Sequence, residues 1–155
     1  MRGRGRAVCV GPDIDTDLII AGRYLRTKDH VIWVTHVFED LDPSLAGRLN
    51  RAVIVAGKNF GCGSSREQAA IAIREAGTVA VVAPSFARIF FRNAINVGLP
   101  VIECDLACRE GTYVTFDLTE GWVEAEGTRH VVRPMSVKMQ EILTAGGLVN
   151  YWRTH

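Results

Sequence analysis

Gly57-Lys58-Asn59-Phe60-Gly61-Cys62-Gly63-Ser64-Ser65-Arg66-Glu67 joins two segments of different character. Before it runs Ala52-Val53-Ile54-Val55-Ala56, short and apolar, the pattern of a buried strand. After it, Gln68–Ala76 reads as a helix that stops at Gly77. A glycine-rich turn between a strand and a helix aims free backbone N–H groups at one place, and that place attracts anions.

Two readings of the turn compete. Ser64-Ser65-Arg66-Glu67 fits Ser-x-x-Glu, a capping box in which the first and last side chains satisfy each other's free amides. The box needs neither Gly61 and Gly63 nor a second serine, and it leaves Arg66 unexplained. An arginine at a helix start opposes the helix dipole by about 0.3–1 kcal/mol unless an anion is near. Gly61 and Gly63 also allow a ligand to approach the backbone closely. Familiar nucleotide and hydrolase motifs do not fit. Arg66 stands where a dinucleotide fingerprint needs its third glycine and where a nucleophile elbow needs its last one. The turn also lacks the Gly-Lys-Ser/Thr ending of a P-loop. What remains is a serine-lined carboxylate or phosphate site, Ser64 and Ser65 beside Arg66, set against a plain helix cap.

Outward from the turn the chain alternates strand and helix. Strands are predicted over Arg6–Val10, Ala52–Ala56, Val79–Ala83 and Pro100–Glu103, with helices over Val31–Glu39, Ser65–Ala76 and Phe86–Val97. That order predicts an α/β core with a partly parallel sheet. Later, Thr112–Leu118 and Trp122–Glu126 alternate apolar with polar residues around Thr119-Glu120-Gly121, a hairpin signature. A closing helix over Val137–Ala145 ends at Gly146-Gly147. The second part of the sheet is therefore expected to be antiparallel, unlike a plain Rossmann fold. No linker or repeat divides residues 1–155, so a single domain is expected.

Bulk properties exclude several functions. A 155-residue chain buries roughly 70% of the surface its unfolded form exposes. Net charge is +1, with 23% charged and 48% hydrophobic residues, which gives no electrostatic case for nucleic acid or membrane partners. Arg2, Arg4 and Arg6 read as a solvated lead-in to the first strand. No apolar run reaches the length of a membrane span and no signal peptide is seen, so a cytoplasmic protein is expected. Cys9, Cys62, Cys104 and Cys108 include no Cys-x-x-Cys pair, and Cys104-x-x-x-Cys108 has no second pair to complete a ligand set. Free thiols and no intrinsic metal are the expectation.

Upstream lies a second constellation, Pro12-Asp13-Ile14-Asp15-Thr16-Asp17-Leu18-Ile19-Ile20-Ala21-Gly22-Arg23-Tyr24-Leu25-Arg26-Thr27. Its spaced aspartates suggest a calcium loop, but Leu18 stands where the turn glycine belongs and Tyr24 where the bidentate glutamate belongs. An exposed acidic turn is the plain reading. Because Leu18-Ile19-Ile20 must leave water, Asp17 is expected beside an interior cleft.

These two constellations together, with Ser85-Phe86-Ala87-Arg88-Ile89-Phe90, Asn93-Ala94-Ile95-Asn96-Val97-Gly98-Leu99-Pro100 and Ala145-Gly146-Gly147-Leu148-Val149, make the chain similar over nearly its whole length to the small subunits of the two-part aconitase-superfamily enzymes, isopropylmalate isomerase and homoaconitase. The resemblance implies a swivelling β/β/α domain closing over a 4Fe–4S cluster that a separate large subunit carries. It implies dehydration of a small di- or tricarboxylic hydroxy acid to a cis-enoic acid and its rehydration, in leucine or related 2-oxoacid chain-extension biosynthesis. By the same resemblance Ser64 would be the base, Ser65 and Arg66 would bind substrate carboxylates, and Asp17 would lie near the active site. The loop Tyr24-Leu25-Arg26-Thr27 would face the substrate's variable group. There Arg26 suits a distal carboxylate, hence a homoaconitate-type or dual specificity, where an apolar residue would suit an isopropyl group. The rival expectation is a free-standing carboxylate- or phosphate-binding module that regulates another protein without catalysis.

Overall fold

The computed structural model describes all 155 residues, and its first strand begins earlier than the sequence suggests. Strand β1 spans Arg2–Cys9 and takes in the three arginines read as a solvated lead-in. Their side chains do lie outside, but the backbone from Arg2 to Arg6 pairs antiparallel with Asp117 to Tyr113. Arg4 and Arg6 sit over the Tyr113 ring, 3.8 and 4.5 Å from its centroid. Each such cation–π contact contributes about 0.5–1 kcal/mol at an exposed site.

On one side of β1 the sheet grows by parallel strands, β2 (Ala52–Val55), β3 (Ala80–Ala83) and β4 (Val101–Glu103). Every residue of β2 and β3 is buried, the signature of parallel strands covered on both faces. The crossovers carry α1 (Thr16–Ile19), α2 (His30–Thr35), α3 (Glu67–Glu75) and α4 (Arg88–Val97). On the other side lie antiparallel β5 (Tyr113–Asp117), β6 (Trp122–Ala125) and β7 (Thr128–Val131), giving the order β4-β3-β2-β1-β5-β6-β7. Helices α5 (Val137–Ala145) and α6 (Leu148–Thr154) close the chain. The result is the expected α/β architecture with a mixed, partly parallel sheet.

A core of 39 buried residues links both parts of this sheet. Helix α3 packs on α2 and α4, and α4 also meets α5 and α6. The sheet curls, so that Arg133 to Ser136, just beyond β7, share a groove with Val101 and Ile102 of the opposite edge. No helix is long and apolar enough to cross a membrane.

Two local expectations fail and one strand is new, each for an identifiable reason. Helix α2 stops at Thr35 rather than Glu39 because Phe38 turns left-handed (φ 60°) to become fully buried, and its N–H is taken by Ile19 O at 2.8 Å. The acidic run does not stay an open turn. Asp15 caps α1 by accepting the Leu18 N–H at 2.9 Å, and that helix buries Ile19 completely. Strand β7 went unseen because its turn is Glu126-Gly127, both at positive φ, instead of the usual Asn-Gly or Asp-Gly pair.

Candidate active site

Parallel strands deliver their following loops to the same edge of a sheet, where ligands collect in open α/β folds. Here the loops go on pairing after the strands end. Gly57 N donates to Gly11 O at 3.1 Å, Asp13 N to Lys58 O at 2.8 Å, Gly61 N to Ile14 O at 2.7 Å and Thr16 N to Cys62 O at 2.8 Å. Phe60 in turn bridges to Phe86, with Ala87 N donating to Phe60 O at 3.0 Å. The loops after β1, β2 and β3 therefore form one hydrogen-bonded block.

Glycine is needed in that block for a reason different from the one expected. Gly61 has φ +81°, and a Cβ on it would stand 2.2 Å from Phe90 Cγ. The close approach it permits is that of a core ring, while Gly61 also lines the cleft. Gly63, at φ +92°, turns the chain so that Gly63, Ser64, Ser65 and Arg66 all line a cleft of about 490 Å³. The capping-box reading is corrected by the same geometry. Helix α3 starts at Glu67 with Arg66 as its N-cap, and no side chain caps it. Ser64 lies in the turn before, its backbone oxygen accepting the buried Thr16 Oγ1 at 2.8 Å. The hydroxyls of Ser64 and Ser65 have no hydrogen-bond partner within the chain, and both residues line the cleft.

Arg66 is held from the side of α1. Its Nη1 donates to Asp17 and, at 3.1 Å, to Ile20 O. Asp17 itself is exposed and paired with Arg66, and it is not among the residues that line the cleft. The anion that an arginine at this helix end calls for is supplied, in part, by the chain itself. Nε and Nη2 of the guanidinium take no hydrogen-bond partner within the chain, although the side chain is only 17% exposed.

The opposite wall comes from α4: Arg88, Ile89, Arg92 and Asn93. Arg88 and Arg92, one helical turn apart, form no ion pair within the chain, so the cleft's unneutralised positive charge sits on them. Neither arginine is a site candidate from the sequence alone. The signal available was a pair of arginines at i and i+4 at the start of a helix with no acidic residue in its first turn. Arg26 is not brought into this lining. It stands exposed on the loop that follows Gly22–Tyr24, although that loop's base touches the site, since a Cβ on Gly22 would be 3.9 Å from Arg66 Nη2.

The donor set does not fit an iron–sulfur cluster. No three His, Cys, Asp or Glu side chains converge as metal ligands. All four cysteines are free, and burial raises each thiol pKa, that of Cys108 to about 11, which disfavours the thiolate a cluster requires.

Residues 14–105 match the aconitase C-terminal domain family. The chain is 47% identical to the methanogen homoaconitase small subunit of Methanothermobacter thermautotrophicus, covering 96% of this chain and 89% of that one. It is 49% identical to the 3-isopropylmalate dehydratase small subunit of Moorella thermoacetica, covering 96% and 93%. The crystal structure of a 3-isopropylmalate dehydratase from Methanocaldococcus jannaschii superposes with a TM-score of 0.92 at 45% identity, over 99% of this chain and 95% of that one. A curled mixed sheet, a serine-lined turn at its parallel edge and similarity of this extent have one common account: the chain belongs to the aconitase C-terminal domain family, in its small-subunit branch.

Proposed function

We propose that this chain is the small subunit of a two-subunit, aconitase-type hydro-lyase that moves a hydroxyl between neighbouring carbons of a small hydroxy acid. One observation carries the reading: Ser64, Ser65, Arg66, Arg88 and Arg92 share one cleft whose hydroxyls and guanidinium edges are free. A carboxylate held in the cleft by Arg66 would carry its adjacent C–H toward the turn. Ser64 Oγ takes that proton, the hydroxyl on the next carbon leaves as water with a proton from the companion subunit, and a cis-enoic acid remains. Return of both groups with the carbons exchanged completes the isomerisation.

A neutral serine hydroxyl is a negligible base, so Ser64 takes the proton as its alkoxide, whose negative charge must be stabilised by nearby donors. Arg66 lines the same cleft as Ser64, and Arg88 with Arg92 add a positive field from the facing wall. The large subunit supplies the rest of the chemistry, including any metal cluster, and neither part works alone. The cellular setting that fits is the cytoplasm, and the pathway that fits is leucine-type or related 2-oxoacid chain extension.

For substrate, Arg26 favours a homoaconitate-type tricarboxylate or dual use. The exposed guanidinium has no partner in the chain and rides on the loop whose base abuts Arg66. Co-expression with the large subunit and parallel assays on homocitrate and isopropylmalate test the whole reading. Turnover by the pair, none by either part, and loss of tricarboxylate preference in Arg26→Val by about 1.5–3 kcal/mol are expected. Tight acid binding by this chain alone, with no turnover in any pairing, would favour the regulatory module instead.

A further inference from the structure

A second side-chain cluster sits behind the loop that carries Arg26, and none of the chemistry above uses it. Glu39 is its centre. Its Oε1 accepts Tyr24 Oη at 2.6 Å and Arg23 Nη2 at 2.8 Å, while its Oε2 meets His36 Nδ1. The rings of Tyr24 and His36 stack with centroids 4.2 Å apart and planes at 10°. Arg23 also grips Asp40 through both terminal nitrogens, at 3.0 and 2.7 Å, with its guanidinium 4.8 Å from the Tyr24 centroid. Trp33, buried in α2, donates Nε1–H to Tyr24 O at 3.0 Å.

Tyr24 is therefore fixed at its hydroxyl, its ring and its carbonyl. Half-exposed ion pairs of this kind contribute little net stability, because ordering long side chains offsets the Coulomb gain. What the cluster does is restrict one residue. Glu39 is depressed to about 2, by the Tyr24 hydroxyl first, then His36 and Arg23, so the carboxylate stays ionised and the cluster assembled at ordinary pH.

Tyr24 stands at a junction. On its N-terminal side, Ile20 O holds Arg66 Nη1, and a Cβ on Gly22 would be 3.9 Å from Nη2. On its C-terminal side come Leu25, Arg26 and Thr27, and the second anchor follows at once. Asp29 N donates to Thr27 Oγ1 at 3.0 Å, and the Asp29 carboxylate caps α2 at Val31 N, 3.0 Å away. Arg26 is thus a long, partnerless side chain on a backbone pinned at both ends.

We propose that the Glu39 cluster is a positioning device that holds Tyr24, fixes the loop from which Arg26 projects, and so sets the choice between a substrate with a distal carboxylate and one with an apolar group. It deepens the reading of Arg26 given above and rests on it. Tyr24, His36 and Glu39 are positioning residues: they act through the loop, not on the substrate.

The test is a double-mutant cycle in the complex with the large subunit, using homocitrate and isopropylmalate. Tyr24→Phe removes only the hydroxyl, and Glu39→Gln keeps the shape of the centre, so both should fold. Each is made with and without Arg26→Val. Tyr24→Phe and Glu39→Gln should each raise KM for the tricarboxylate about 5–30-fold, within the range of coupling between contacting residues, and leave kcat within about twofold. KM for isopropylmalate should stay put, and in the Arg26→Val background neither variant should change anything further. A fall in kcat for both substrates alike, or the same rise in KM with and without Arg26, makes the cluster a purely structural feature and overturns the proposal. If Arg26→Val itself leaves selectivity unchanged, the reading of Arg26 falls and takes the proposal with it. If Arg26→Val shifts selectivity while Tyr24→Phe and Glu39→Gln do not, that reading stands and only the positioning role is lost.

Discussion

The parallel and antiparallel parts of this sheet end their strands in opposite ways. β1, β2 and β3 release the chain at one edge, and the loops pair with one another there until residues far apart in sequence, from Thr16 to Asn93, wall a single cleft. β5, β6 and β7 return through short turns at Thr119–Gly121 and Glu126-Gly127, so each end gathers only its immediate neighbours. Topology explains the difference. A parallel pair must cross over before its next strand, which sends every following loop to the same edge, whereas a hairpin alternates edges. Chemistry is expected from the first part and stability alone from the second.

The largest test of that division is Ser64→Ala. Loss of a positioned proton acceptor should lower kcat of the assembled enzyme about 10²- to 10⁴-fold with thermal stability unchanged. Arg129→Ala, which strips a guanidinium lying 3.8 Å from the Trp122 ring centroid in the antiparallel part, should leave kcat as it was. Near-normal turnover in Ser64→Ala would remove the base from this chain. Next comes Gly61→Ala. A Cβ at φ +81° and 2.2 Å from Phe90 combines left-handed strain with overpacking, together about 2–5 kcal/mol of lost stability. Denaturant titration reads that loss directly. A variant as stable as the parent would mean that the loop block gives way easily.

Much of this was legible before any coordinates. The strand–turn–helix reading of residues 52–76 holds to within two residues, because a buried apolar strand and an amphipathic helix differ sharply in period. The burial of Ile19 and Ile20 followed from their apolar character. Tertiary effects hid the rest. Nothing in the sequence says that Phe90 occupies the space beside Gly61, or that Arg66 spends one nitrogen on Asp17. Arg88 and Arg92 were visible as residues but not as a wall, since only the third parallel loop carries them to the turn. The starting arginines were misplaced because exposed charges alternating with small residues look like a tail until Tyr113 and Asp117 are found opposite them.

Arg66 and Arg92 refine the comparison within the cleft itself. Arg66 is half satisfied by Asp17 and Ile20 O, while Arg92 faces the same space with no carboxylate of its own. Arg92→Ala should therefore raise KM for a multiply charged acid by about 1.5–3 kcal/mol equivalent, the worth of a hydrogen bond to a charged group, with little effect on folding. If KM does not move while assembly with the large subunit weakens, the α4 wall meets protein rather than substrate.

The smallest effect belongs to the antiparallel part and is read in pH. Asp117 is buried at the end of β5, where Oδ1 accepts the N–H groups of Thr119 and Glu120 at 2.9 Å each and Oδ2 accepts Arg2 Nε at 2.7 Å. The Glu120 amide and the Arg2 guanidinium, in that order, hold its pKa below the ordinary carboxylate value. A folded pKa below the unfolded one means that the unfolded chain takes up the proton first as pH falls. The stabilisation is therefore complete above the unfolded value of about 3.9 and fades as pH drops through the lower folded value. Asp117→Asn should show a constant deficit in Tm from neutral pH down to about 5, narrowing at more acid pH until the two proteins converge, while kcat at neutral pH is untouched. A deficit that persists unchanged into strong acid would mean that geometry at the β5–β6 turn, and not the charge of Asp117, is what the carboxylate contributes.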